Sequence, residues 1–148
     1  MTAENFDLFF KDDESQWLDA LPNYQRDIVS ELLSVTSNDY DAAALSWLEA
    51  SVDNTSPFSG EPKKDKKYFE SLKTEVHKLI CGDPDYDADR NELAQLIKSE
   101  RSRSSLVAFI SGVIGAKIGL AAAFVSPAVV ILFMMITKTS LNAWCAIR

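Results

Sequence analysis

Residues 106–136 read LVAFISGVIGAKIGLAAAFVSPAVVILFMMI, with Lys117 the only charged side chain among them. A run this apolar either enters a bilayer or is wrapped by the rest of the protein, because apolar surface of that extent is not left in water. Everything before it is polar, strongly charged and patterned like ordinary amphipathic helices. The overall hydrophobic fraction of 47% is therefore ordinary in amount and unusual only in where it sits.

Proline divides the run. Pro127 has no N–H and suits the first turn of a helix better than its interior. The expected arrangement is one helix over residues 105–124 and another over 127–145, forming a hairpin broken at Ser126-Pro127. At about 1.5 Å per residue each helix is roughly 27–30 Å long, near the thickness of a bilayer core. A single bent span over residues 118–139 is the competing arrangement.

The first of these helices carries Ser111, Gly115 and Gly119 at four-residue spacing, with Gly112 beside them. Small residues so spaced form a groove that admits another helix backbone, a glycine-zipper face suited to helix packing or self-association. Arg101 and Arg103 precede the hairpin and Lys138 lies late in its second helix. In a hairpin these bases share one end, as the positive-inside rule requires. Together with Trp144 they are the candidate membrane-interface anchors. Lys117 would have to snorkel from a membrane but would simply reach solvent from a soluble core.

Upstream, helical periodicity recurs and strand alternation is nearly absent. A short helix over 14–21 carries Trp17, Leu18 and Leu21, and Pro22 ends it. The next, over 24–35, puts Tyr24, Ile28 and Leu32 on one stripe, flanked by Val29 and Leu33. A third, over 39–51, presents Tyr40, Ala44, Trp47 and Leu48. Residues 52–63, VDNTSPFSGEPK, read as a linker rich in turn formers. A longer helix over 64–81 has a wide stripe of Tyr68, Phe69, Leu72, Val76, Leu79 and Ile80, stopped by Gly82. Asp83-Pro84 restarts a helix that runs to about residue 101–103, with Tyr86, Leu93, Leu96 and Ile97 inward.

Charge narrows the function classes. The formal net charge is −7, and Lys11 and Arg26 are the only bases before Lys63. An acidic front half argues against nucleic acid, whose phosphates need a basic face. Alternating Asp83, Asp85, Asp87 and Asp89 suggest a calcium loop. With Asp83 in first place, however, Ala88 and Ala94 stand where the turn glycine and the bidentate glutamate belong. The acids fit a helix N-terminus instead.

His77 and Cys81 share a helix face, as a thiolate–imidazole pair or half a metal site would require. No third partner stands at a telling spacing, so no metal site is expected. Cys81 and Cys145 are far apart in sequence and make no disulfide framework. Phosphate-loop, nucleophile-elbow and zinc patterns are lacking, so neither a cofactor nor an enzymatic activity is expected.

The start, MTAENFDLFFKDD, is acidic rather than signal-like, which favours a cytosolic front half. Phe9, Phe10 and Trp17 lie among acids there and are the candidate aromatic anchors of a partner-docking surface.

The expected fold is all-α: an acidic helical interaction region (1–52), a linker (53–63), an amphipathic helix pair (64–104) and the apolar hairpin (105–148). Two functions fit it. One is a non-enzymatic, effector-like protein whose hairpin anchors in or perturbs the inner or plasma membrane from the cytoplasmic side, with lipid as partner. The other is a cytoplasmic interaction or oligomeric subunit with its hairpin buried in the core, bound to a protein partner or to itself. A hybrid wraps the hairpin in water and releases it on a trigger.

Overall fold

The computed structural model describes residues 10, 14–55, 66–99 and 103–147, and Phe9 and Arg101 lie outside them. Among the described residues the fold is all-α, with no strand. A 3-10 helix at Glu14–Ala20 leads into α1 (Asn23–Val35), α2 (Tyr40–Thr55) and α3 (Lys66–Cys81). A 3-10 turn at Pro84–Tyr86 opens onto α4 (Asp87–Ser99), and α5 (Arg103–Ile118), α6 (Ala122–Thr139) and α7 (Leu141–Ile147) complete the order.

The hydrophobic pattern explains which helix lies at the centre. α6 has no polar face over most of its length, and a helix apolar all round belongs in a core. Ten of its residues are buried, against six in α5. The N-terminal 3-10 helix, α1, α2, α3, α5 and α7 all pack on it. α5 supplies Leu106, Val107, Ile110 and Ile114 to the seam. A single buried cluster runs from Phe10 and Trp17 through Leu72, Val76 and Leu93 to Leu141 and Trp144. The acidic front region and the apolar hairpin therefore share one core.

The hairpin turns earlier than its proline suggests. α5 ends at Ile118, and Gly119 takes φ +84°, a left-handed conformation that glycine adopts freely. The N–H groups of Gly119 and Leu120 both bond to Gly115 O, at 2.8 and 2.9 Å, closing the C-terminus in a Schellman-type turn. α6 then begins at Ala122, and Pro127 lies inside it rather than at its start. The expected break at Ser126-Pro127 is thus corrected to Gly119–Ala121. The far end is corrected too: α6 stops at Thr139, Ser140 has φ 111°, and α7 is a separate short helix.

A proline within a helix orphans the carbonyl four residues earlier. Here that carbonyl is Ala123 O, and the Gln25 side-chain amide donates to it at 3.1 Å. Its neighbours are met in the same way. Ser126 Oγ donates to Ala122 O at 2.9 Å, and Trp47 Nε1 donates to Phe124 O at 2.8 Å. Ser126 Oγ also lies 3.0 Å from Ser111 Oγ on α5, joining the two arms of the hairpin near its turn.

This tie sets the rotation of α1. Gln25, Val29 and Leu33 are its buried residues, whereas Tyr24 is 65% and Ile28 41% exposed. The inward stripe is therefore one residue out of step with the expected Tyr24, Ile28 and Leu32. α2 also runs on to Thr55, into the segment expected to be linker. The amphipathic pair follows the sequence closely. Phe69, Leu72, Val76, Leu79 and Ile80 are buried on α3, Gly82 ends that helix at φ 108°, and Asp83 caps the next turn by accepting from Asp85 N at 2.8 Å.

Candidate functional site

Two places gather the side chains that carry chemistry. One is the end of the hairpin that holds Arg103 and Lys138. The other is the junction where α3 meets α7.

At the hairpin end, Trp17 is the organising side chain. It is fully buried, stacks edge-on against Phe133 at 4.9 Å and donates its Nε1–H to Thr137 Oγ1 at 2.8 Å. Thr137 passes the bond on to Phe133 O at 2.9 Å. Phe10 is buried beside it, 5.5 Å from the Trp17 ring and 5.3 Å from Phe133. Phe10 and Trp17 are thus core residues, which corrects their expected exposure as docking anchors. Their rings fill the space over one end of α6, where burial stabilises more than solvation does. The Arg103 guanidinium sits 5.4 Å from the centre of the Trp17 ring, a cation–π contact. Lys138 is exposed at the same end.

The other expected interface residue, Trp144, is buried against His77, with ring centroids 5.4 Å apart. It is packed into the fold and not presented to a membrane surface. Lys117 reaches out from α5 and lies 4.7 Å over the ring of Tyr86.

The four small residues of α5 do not form one continuous face for another helix. A Cβ on Gly112 or Gly119 would meet nothing within 4 Å. A Cβ on Gly115 would lie 2.5 Å from Leu120 O, in the turn that closes α5 itself. Ser111 is buried and hydrogen-bonded to Ser126. The expected packing face is corrected accordingly: Gly115 and Gly119 build the turn, and Gly112 faces outward.

At the α3–α7 junction, local structure fixes each participant. Arg90, only 4% exposed, donates to Lys78 O at 3.3 Å, Leu79 O at 2.6 Å and Asp83 O at 2.6 Å. Cations at a helix C-terminus satisfy its free carbonyls in this way. Arg90 also pairs with Asp87 at 2.7 Å, so it holds the end of α3, where Cys81 sits, against the start of α4. On the other side, Ser140 Oγ accepts from Ala143 N at 3.2 Å and starts α7.

Cys81 and Cys145 are joined in a disulfide, with Cα atoms 5.7 Å apart and a sequence separation of 64. That separation is within the usual range for a bridge. His77 Nε2 lies 3.1 Å from Cys145 O. A carbonyl oxygen only accepts, so Nε2 is the donor, and the tautomer this bond selects has its lone pair on Nδ1. The partner that His77 and Cys81 lacked in the sequence is therefore Cys145, brought in by the reversal at Ser140. As a disulfide the pair staples α7 to α3; as thiols it places two sulfur ligands beside an imidazole.

Near this junction Tyr86, fully buried, donates its hydroxyl to Glu75 Oε1 at 2.5 Å. Burial, then this bond to a carboxylate, pushes the phenol well above its ordinary range. Among the acids tested as a calcium loop, Asp83 caps a turn and Asp87 faces Arg90. The chain matches no protein-family model, no curated protein and no solved structure.

Proposed function

We propose that this is a non-enzymatic, water-soluble interaction protein that keeps its apolar hairpin inside its own fold. The observation that carries this reading is the tie between α6 and its jacket. Gln25 and Trp47, from two different covering helices, donate to successive carbonyls of α6 at 3.1 and 2.8 Å. Such bonds specify one permanent neighbour, which suits a core helix rather than one kept ready to leave. The apolar side chains that remain outside support work through contact with another protein. Tyr24, Ile28 and Val35 fall on one stripe of α1, and Val35 is 71% exposed.

One observation favours a second reading, membrane association. α6 is long enough and apolar enough to cross a bilayer. In that reading the jacket opens and the hairpin inserts with its basic end held at the cytoplasmic face.

Expression of the full chain without detergent separates the two. The interaction reading expects a discrete species in the high-speed supernatant that unfolds cooperatively and does not float with anionic liposomes. Recovery only in the membrane fraction, or flotation and dye release from those liposomes, would sink it and support insertion.

A further inference from the structure

The geometry points to a metal site at the α3–α7 junction. In the dithiol form, His77, Cys81 and Cys145 bind a soft divalent cation of the zinc type, and the disulfide is the oxidised, metal-free state of the same three residues. This stands independently of the function proposed above.

One ligand atom from each residue already lies within 4.8 Å of the other two, and all three side chains are half-buried. Zinc in tetrahedral coordination holds sulfur at about 2.3 Å and imidazole nitrogen at about 2.0–2.1 Å, which sets two thiolates about 3.8 Å apart. The cysteines thus need only part from bonding distance, with their helices in place. His77 and Cys81 are one helical turn apart on α3, a spacing that puts both ligands on one face. The hydrogen bond from His77 Nε2 to Cys145 O is the outer contact that fixes ring orientation and tautomer in imidazole–metal sites, and it leaves Nδ1 as the ligand. Trp144 packs against the ring and limits its rotation. Two thiolates and an imidazole select zinc over magnesium or calcium, and three protein ligands leave the fourth position to water.

The interconversion balances without a hidden reagent. An added dithiol reductant gives two electrons and two protons to the Cys81–Cys145 bond and becomes a disulfide itself. Metal binding then displaces one proton from each thiol. Disulfide and metal are mutually exclusive, so α7 is held to α3 by one or the other.

The probe is cobalt(II), added to the full chain after reduction and removal of the reductant under nitrogen. The expected result is one cobalt per chain, with the intense near-ultraviolet charge-transfer band of thiolate coordination, bleached when zinc(II) is added. The air-oxidised protein should give no band. Cys145→Ser should abolish it, and His77→Ala should weaken cobalt binding by more than about tenfold. Helical circular dichroism, recorded for each protein, identifies any variant that is unfolded. Reduced wild type without a thiolate band, or a band of undiminished affinity in folded Cys145→Ser, would overturn the proposal.

Discussion

A buried amide on an apolar helix face needs a partner, and Gln25 finds one in Ala123 O, the carbonyl that Pro127 has no N–H to serve. Losing that donor leaves Ala123 O unpaired. The carbonyl sits near the surface, so the cost falls at the low end for such groups, about 1 kcal/mol. We expect Gln25→Met to lower the unfolding free energy by that amount. Pro127→Ala restores the backbone donor, so the same change in its background should cost less. A double-mutant cycle in urea measures this coupling, and strict additivity would refute the assignment. Gln25 also shows why the register of α1 was not legible in the sequence. The stripe of Tyr24, Ile28 and Leu32 is more apolar than that of Gln25, Val29 and Leu33, and only a carbonyl 98 residues away makes the second preferable. Tyr86 supports a prediction in pH. Its phenol is held neutral by burial and by Glu75, so its folded value is raised above the ordinary 10.0. The unfolded chain then loses this proton first as pH rises. The stabilisation is complete below about pH 10 and is lost as the pH climbs through the raised value, at up to about 1.4 kcal/mol per unit. Tyr86→Phe should remove that alkaline limb and cost about 1.5 kcal/mol at neutral pH through the bond to a charged group. Chemical denaturation at neutral and alkaline pH reads both effects.

At the scale of the helix, the glycines of α5 separate two accounts of the hairpin. A packing groove would make Gly112 and Gly115 equally intolerant of a side chain. Instead, Gly112 is an exposed helix-interior glycine with open space around it, so alanine should stabilise the protein by about 0.5–1 kcal/mol. Gly115 is the reverse: alanine would force its Cβ against a backbone carbonyl that has no freedom to move aside. Gly115→Ala should therefore destabilise by about 1–3 kcal/mol. Opposite signs in thermal unfolding support the turn, and equal losses would return the groove. The helices themselves were legible in the sequence, because the stripes of α3 and the Gly82, Asp83 and Pro84 punctuation need only local physics. The hairpin turn is hidden in the sequence because proline is the stronger local signal. Its penalty in α6 is offset by Ser126 beside it and by Gln25 and Trp47, and the last two come from helices far outside the segment. With those donors in place, the left-handed Gly119 decides where the chain reverses.

For the whole molecule, coverage of α6 is the central physical problem, and a chain of this size solves it with many short helices and one long-range link. A domain of this length buries about 70% of its extended surface. Fitting α6 into that fraction requires α7 to fold back and close its end against α3. α7 has only seven residues, too few to persist as a helix without tertiary contacts. Its hold comes from Leu141 and Trp144 in the core and from the bridge to Cys81. The bridge was not legible in the sequence because two cysteines define no framework, and the reversal at Ser140 that joins them carries no glycine or proline to announce it. Closing a loop of this length restricts the unfolded chain by up to about 4 kcal/mol in the chain-entropy account, and bridges typically contribute about 2–4 kcal/mol. We therefore expect reduction in the presence of a metal chelator to lower the unfolding free energy by about 2–4 kcal/mol. The loss should begin at α7. Hydrogen exchange in the reduced, chelated protein should rise first over residues 141–147 and leave α6 protected, because Gln25, Trp17 and Trp47 still hold it. Simultaneous loss of protection in α6 and α7 would mean that the bridge holds the whole jacket closed rather than its last helix alone.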